Sequence, residues 1–394
     1  MRSKEIHASH LKEIEEKILA NYFGVKRKCV LSENLSYFNL TQSFPPDIVH
    51  DLFEGIIPVE IALCLNVLIS KKYFALSNLN DAITSFQFKW TDKTNCPHLV
   101  PQTYTTKRTI GGNAHENWNL LRFLPLLIGH KVPASEPAWQ VLCELKDIVE
   151  LAVAPFHTED SICYLDFKIS EHRTVFQEVF PHERILPKHH YLEHYPQLIR
   201  QFGPLVALWT MRFEAKHSFF KRVIRHTNCY KNVLYSLAQR HQFQSAHNLH
   251  ICRFPKPSLE VSEVSTLPID VINEDITWAV KQKYPQIETV NLAKNVFYNG
   301  LNYRIGMVLS HGSLAGLPEF CEIVHMIVEQ ETLLFIVKNL DAWYLEHYRA
   351  YDLVTSTTRV LKLVGLHELT DHYPLNYYMV GGRRLISLKR YIHA

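Results

Sequence analysis

A chain of 394 residues can bury a large core, and its length allows two or three domains. Apolar residues make up 47% and charged residues 21%, a globular balance that argues against a disordered chain. The formal net charge is only +3, so a nucleic-acid reading must rest on local charge rather than on the sum.

The start, Met1-Arg2-Ser3-Lys4-Glu5, lacks the apolar stretch of a secretory signal. Residues 3–20 set Ile6, Leu11, Ile14, Ile18 and Leu19 at helical spacing, which predicts an amphipathic helix. Ser36-Tyr37-Phe38-Asn39-Leu40 alternates like a strand and leads to Pro45-Pro46. The segment after the prolines is therefore expected on a turn between a strand and a helix. Ile56 to Ile69 is the longest apolar run. Pro58, Glu60 and Asn66 interrupt it, and it reads as a buried helix rather than a membrane span. Residues 56–186 read as mainly helical: Trp118 to Ile128 is densely apolar around Arg122, with a bend expected at Pro125, and Trp139 to Val153 is periodic.

From 187 to 250 the chain turns basic and aromatic. Phe254-Pro255-Lys256-Pro257-Ser258, with the Ser/Glu/Thr-rich stretch to Pro268, predicts an exposed linker over 251–270. Residues 271–394 predict a small β-rich accessory domain, a partly closed barrel. Its clearest signal is Asn299-Gly300 between Val296-Phe297-Tyr298 and Tyr303 to Leu309, a type I′ hairpin pattern. Glu322 to Val328, Thr332 to Val337, Trp343 to Tyr348 and Val360 to Val364 are the other strand candidates.

Eight cysteines stand singly at 29, 64, 96, 143, 163, 229, 252 and 321, with no Cys-x-x-Cys pair. That usage argues against a zinc ribbon and suits reduced thiols in cytosol or nucleus. His182, His189, His190 and His194 cluster, and the last two are one helical turn apart, a spacing that can bind zinc. No His-Glu-x-x-His word accompanies them, and the rings are read as contacting phosphate or packing beside Pro187 and Pro196. Cys96-Pro97-His98 reads as a loop. No Gly-rich phosphate loop and no Gly-x-Ser-x-Gly nucleophile motif is present.

Two segments carry the chemistry. The first is Pro45-Pro46-Asp47-Ile48-Val49-His50-Asp51-Leu52-Phe53-Glu54-Gly55. Its plain reading is a helix start, with Asp47 as the cap and Asp51 and Glu54 near the positive end of the dipole. The second is Leu208-Trp209-Thr210-Met211-Arg212-Phe213-Glu214-Ala215-Lys216-His217-Ser218-Phe219-Phe220-Lys221-Arg222. Residues 211–240 hold seven Lys or Arg and one acid, Glu214. At roughly 100° per residue, Glu214, His217, Ser218, Lys221 and Arg225 share one helix face, while Trp209, Phe213, Phe220 and Ile224 share another. One carboxylate among cations fits phosphoryl transfer on DNA, the cations facing phosphates and the carboxylate a metal. The plain reading is a surface helix whose Glu pairs with Lys221 or His217.

Together these segments resemble the second and third acidic positions of a DDE-type cut-and-paste transposase of the CACTA (En/Spm) superfamily. Further runs agree in order and spacing over residues 1–250: Ala114-x-x-x-Trp118-Asn119-Leu120-Leu121-Arg122-Phe123-Leu124-Pro125, then Leu186-Pro187-Lys188-His189-His190-Tyr191-Leu192-Glu193-His194-Tyr195-Pro196, then Phe202-Gly203-Pro204-Leu205. The resemblance implies a mixed α/β fold. A partial ribonuclease-H-like core (1–55 and 187–250) would be interrupted by an all-helical insertion (56–186). It implies Asp47 and Glu214 as ligands of Mg2+ or Mn2+, and His50, of the Asp-x-x-His signature, as orienting a carboxylate or contacting DNA. Asp51 is the fallback ligand. DNA would meet Arg212, Lys216, His217, Lys221, Arg222 and Arg225, in the nucleus. The family's first Asp lies upstream of both segments, and Asp160 and Asp166, in the insertion, are not expected to replace it. The expectation is an N-terminally truncated, inactive fragment or remnant, able to self-associate through an unpaired sheet edge. The alternatives are a domesticated, non-catalytic DNA- or protein-binding protein and a metal-dependent hydrolase using the His cluster.

Overall fold

Every α-helix but one precedes Leu259 among the described residues, and every strand lies from Leu259 onward. The computed structural model describes residues 3–228, 230–251, 259–314, 316–329, 332–356 and 360–393. The helical part begins with α1 (Lys4–Lys17) and α2 (Val30–Asn34), followed by a π-helical stretch, Val49–Ile56, that runs directly into α3 (Ile57–Ser70). Next come α4 (Leu76–Ser85), α5 (Trp90–Lys93), α6 (Tyr104–Lys107), α7 (Ala114–Ile128), α8 (Pro137–Ala152) and α9 (Glu159–Val179). Then follow α10 (Pro187–Leu192), α11 (Tyr195–Phe202), α12 (Met211–Thr227) and α13 (Val233–His250).

Local chemistry sets these boundaries. At α7, the Asn113 side chain accepts the Glu116 N–H and the Glu116 carboxylate accepts the Asn113 N–H, a reciprocal cap. Pro137 opens α8, where its missing N–H leaves no gap. Helix α1 forms as expected but ends at Lys17, because Ile18 takes a left-handed φ of 50°. Ile14 is the buried residue of α1. Residues 36–40, expected as a strand, are turn and coil instead, since no neighbouring strand offers them backbone partners.

The core is built on Leu52, Phe53, Ile56, Ile57, Ile61 and Leu65, all buried against α7 and α8. Val49–Ser70 is long and apolar enough to cross a membrane by length and composition, and most of it is buried inside the fold. The cysteines among the described residues form no disulfide; Cys229 and Cys252 lie outside those residues.

The rest is one curled antiparallel sheet. Its strands are β1 (Leu259–Pro268), β2 (Thr289–Tyr298), β3 (Leu301–Arg304), β4 (Val308–Leu314), β5 (Leu317–Glu329) and β6 (Thr332–Leu345). They continue with β7 (Ala350–Thr355), β8 (Leu361–Gly365), β9 (Asp371–Leu375), β10 (Tyr378–Val380) and β11 (Arg383–Ile386). Helix α14 (Glu274–Lys283) lies between β1 and β2 in sequence. The curl follows from β5 and β6, which change neighbours part-way along. β5 meets β2 at Ile327 and Met326 but β4 at Glu322 and Cys321. β6 meets β8 over Leu334–Lys338 and β7 over Leu340–Leu345. A bulge at Ile323/His325 bends the pair.

Three expectations meet the structure here. The Asn299-Gly300 hairpin forms with Tyr298 paired to Leu301 and φ of 49° and 83° at the two turn residues. Residues 259–268, expected as linker, are instead strand β1, paired with β2 along its length; Phe254 to Ser258 lie outside the described residues. Trp343 to Leu345 ends β6, and Glu346–Tyr348 is a 3-10 turn rather than strand.

The sheet also shares the helical core: Ala350, Tyr378 and Leu385 belong to the same apolar cluster as α3, α7 and α8. Buried polar contacts lock the junction. Arg122 Nη1 meets Asp92 at 2.6 Å and Arg122 Nε donates to the Ser387 carbonyl at 3.0 Å. Lys146 Nζ donates to the Arg349 carbonyl at 2.8 Å, and Trp139 Nε1 to the His347 carbonyl at 3.1 Å.

Candidate functional site

The two acidic segments, far apart in sequence, meet in space. Asp47 Oδ1 accepts the Thr210 backbone N–H at 3.1 Å, and Asp47 Oδ2 accepts the Thr210 hydroxyl at 2.6 Å, across 163 residues. Thr210 is the residue before α12, so Asp47 caps the Glu214 helix from outside. Its bond to its own following helix, from Val49 N–H, is weaker at 3.4 Å.

His50 stands between the two segments. Its Nδ1 is hydrogen-bonded to Asp47 Oδ2, while Nε2 lies 3.7 Å from Glu214 Oε1 and 3.9 Å from Glu54 Oε2. The bond to Asp47 raises the His50 pKa; burial opposes it, and the charges of Asp47, Glu54 and Glu214 add to the rise. At Asp47, burial pushes upward but is outweighed by the bonds from Thr210, His50 and Val49, so the carboxyl sits below its ordinary value. Asp47, His50 and Glu214 thus form a carboxylate–imidazole–carboxylate chain, with Glu54 as a fourth member.

The supports lie in α3, α9, α10 and α11. Lys188 Nζ donates to the His50 carbonyl at 2.6 Å, and its side chain lies across Gly55, where an added Cβ would fall 2.3 Å from Lys188 Cδ. That passage explains the glycine at the end of the first segment. Below it, Glu60 is fully buried between His172 Nε2 at 2.8 Å and His189 Nε2 at 2.9 Å. Burial raises the Glu60 pKa, but the two rings overcome it and hold the carboxyl below its ordinary value. His189 Nδ1 accepts the Leu186 N–H at 3.1 Å, so one ring fixes the start of α10 and ties it to α3. His189 therefore packs internally; it does not face phosphate. Asp51 is buried and receives the Tyr195 hydroxyl at 3.3 Å. Burial pushes its carboxyl up to about 6.

The basic residues stand on α12. Arg212, Lys221, Arg222 and Arg225 are exposed and form no ion pair among the described residues; His217 is exposed beside them. Lys216 lies 4.3 Å over the Phe219 ring. The expected apolar face packs less than the spacing implied. Phe220 and Ile224 are half-buried toward α13, but Phe213 is 70% exposed, because α12 and α13 stand as a pair with no fully buried residue. The ordinary pairing of Glu214 with Lys221 or His217 does not occur; its near neighbour is His50.

Among the described residues, no group of three or more His, Cys, Asp or Glu side chains is disposed to hold a metal ion. Both Asp47 oxygens are already hydrogen-bonded, so a divalent ion would have to displace the His50 ring from the carboxylates it bridges. Asp160 and Asp166 are exposed on α9 and are not partners of the three. His98, in the Cys96-Pro97-His98 loop, is bonded through Nε2 to the Ile110 carbonyl at 3.0 Å.

No family model, curated protein or solved structure matches this chain.

Thr210, Lys188 and Tyr195 stand inside the singled-out segments with no role expected of them, and Glu54 was expected only as a favourable charge near a helix start. Their signal is adjacency to Asp47, His50 and Glu214, which only the fold supplies.

Proposed function

We propose that this chain is a remnant of a CACTA-type cut-and-paste transposase that binds DNA without sequence preference and does not cut it. The observation that carries the reading is the docking of Asp47 onto Thr210, which sets His50 between Asp47 and Glu214 at the foot of the basic helix α12. The same order of acid, histidine and acid is what the resemblance implies. In this reading residues 1–55 and 187–250 derive from a ribonuclease-H-like core, Asp47 and Glu214 are the ancestral ligands of Mg2+ or Mn2+, and the chain works in the nucleus. His50 now bridges the carboxylates that a metal would need, which favours binding over cleavage.

The unpaired cations of α12 and the exposed rings beside them are the chemistry of a backbone-tracking surface. Affinity for a short duplex, measured by fluorescence anisotropy, is expected to fall steeply with salt. Replacing Lys221, Arg222 and Arg225 by Ala should reduce the slope of log K against log salt by about 2–3, near 0.9 per lost phosphate contact. A salt-insensitive affinity, or a slope unchanged by the triple replacement, overturns the DNA-binding reading.

The non-cleaving half has its own test. Supercoiled plasmid incubated with the protein and Mg2+ or Mn2+ is expected to stay intact, with wild type and Glu214→Gln alike. Metal-dependent nicking that Glu214→Gln abolishes would instead make this an active nuclease.

A further inference from the structure

A second cluster lies on another face of the α10–α11 corner and plays no part in the DNA reading. His190 and His194 are one helical turn apart, and their Nε2 atoms lie 3.3 Å from each other. The rings meet edge to face, with centroids 4.6 Å apart and planes at 78°. Glu193 and His194 keep right-handed helical backbone between α10 and α11, so the one-turn spacing survives the break in the helix.

We infer that His190 and His194 form a surface site for a divalent transition-metal ion, with zinc as the type case. Two ligands at Zn–N distances of about 2.0–2.1 Å and a tetrahedral angle have nitrogens about 3.3–3.4 Å apart. The two Nε2 atoms already hold that separation. A carboxylate stands beside the other nitrogen of His190. Glu193 Oε2 lies 3.4 Å from His190 Nδ1, and the other Glu193 oxygen is paired with Arg173. A carboxylate beside Nδ1 favours a proton there and frees Nε2 for a metal, the arrangement that orients metal-bound imidazoles. Without metal, the two Nε2 atoms share one hydrogen bond, and the ring tautomers decide which of them donates. With metal, each ring carries its proton on Nδ1, both Nε2 atoms bind the ion, and the remaining coordination positions face water. Imidazole pairs of this kind suit zinc, nickel and copper rather than magnesium or calcium. His190 is exposed and His194 half-exposed, so the ion has open access.

Histidine modification by diethyl pyrocarbonate, read by peptide mass mapping of the full chain with and without zinc, tests this site among 23 histidines. At zinc tenfold above its dissociation constant, simple occupancy should slow modification of His190 and His194 together by about tenfold. Exposed His182 should react as before, and buried His189 should stay unmodified, which reports an intact fold. In His194→Ala, zinc should no longer protect His190, and Glu193→Gln should weaken zinc by about 10–100-fold. The site is refuted if zinc leaves His190 and His194 unprotected, if it protects His182 equally, or if His190 stays protected in His194→Ala.

Discussion

Asp92→Ala is expected to destabilise the protein by about 3–5 kcal/mol, the range for stripping one partner from a buried ion pair. Asp92 and Arg122 have side chains only 4% and 3% exposed. The carboxylate also accepts the Tyr378 hydroxyl at 2.7 Å and the Asn376 amide at 3.0 Å, so three donors converge on it from α7 and the β9–β10 region. At Asp92, burial raises the pKa, but Arg122 and those bonds outweigh it and leave the group below its ordinary value. A depressed carboxylate contributes stability above its unfolded pKa and loses it as pH falls through the lower folded value. The loss in Asp92→Ala should therefore be full at neutral pH and shrink in strong acid. Removing the carboxylate leaves a buried guanidinium with the Ser387 carbonyl as its remaining neutral partner. The double replacement Asp92→Leu with Arg122→Met removes both charges and should recover much of the loss. Urea unfolding followed by tryptophan fluorescence measures all three. A single variant within 1 kcal/mol of wild type would mean that this pair does not hold the sheet onto the helices.

The same pair shows what the sequence could disclose. Arg122 stands out as a charge inside Trp118 to Ile128, but nothing in the chain points to Asp92, because the two meet only after α5 folds back on α7. Asn299-Gly300 was legible because a two-residue hairpin needs positive φ at both positions, and these residue types supply it cheaply. Thr332 to Val337 was legible because β6 is buried on both faces: Leu333, Phe335 and Val337 point into one cluster and Leu334 and Ile336 into another. Residues 259–268 misled because an edge strand with mostly exposed side chains is as polar as a linker. Residues 36–40 misled in the opposite sense, since alternation alone does not provide a partner strand. At the site, Asp47, His50 and Glu214 were legible as words, and the structure brings them together. The helix-start reading of Asp47 treated it as local, whereas its main partner is Thr210, beside the Glu214 segment.

Asp51→Asn is expected to stabilise the protein at neutral pH, by about 2–3 kcal/mol at 1.36 kcal/mol per pKa unit. Asp51 is 5% exposed, and burial lifts its carboxyl from 3.8 to about 6, against the pull of Tyr195 and Lys188. A raised carboxyl favours the protonated fold: its contribution is fully present below pH 3.8 and is lost as pH rises through about 6. At pH 7 the native state therefore carries a buried charge that Asn would not, and Asn keeps an oxygen for the Tyr195 hydroxyl. The gain of Asp51→Asn should shrink as pH falls and vanish near pH 3.8. Urea midpoints for both proteins from pH 4 to pH 8 decide it; a gain independent of pH, or a loss at pH 7, would show that burial does not strain this carboxylate. The sign also bears on the site. Asp47 and Asp51 are four residues apart, yet their surroundings drive their pKa values in opposite directions. Asp47 is the anion that Thr210 and His50 hold in place, whereas Asp51 gains a proton as pH drops toward 6. A cation reaching this surface near neutral pH therefore meets its fixed negative charge at Asp47, Glu54 and Glu214, with Asp51 behind them and closed off by Tyr195.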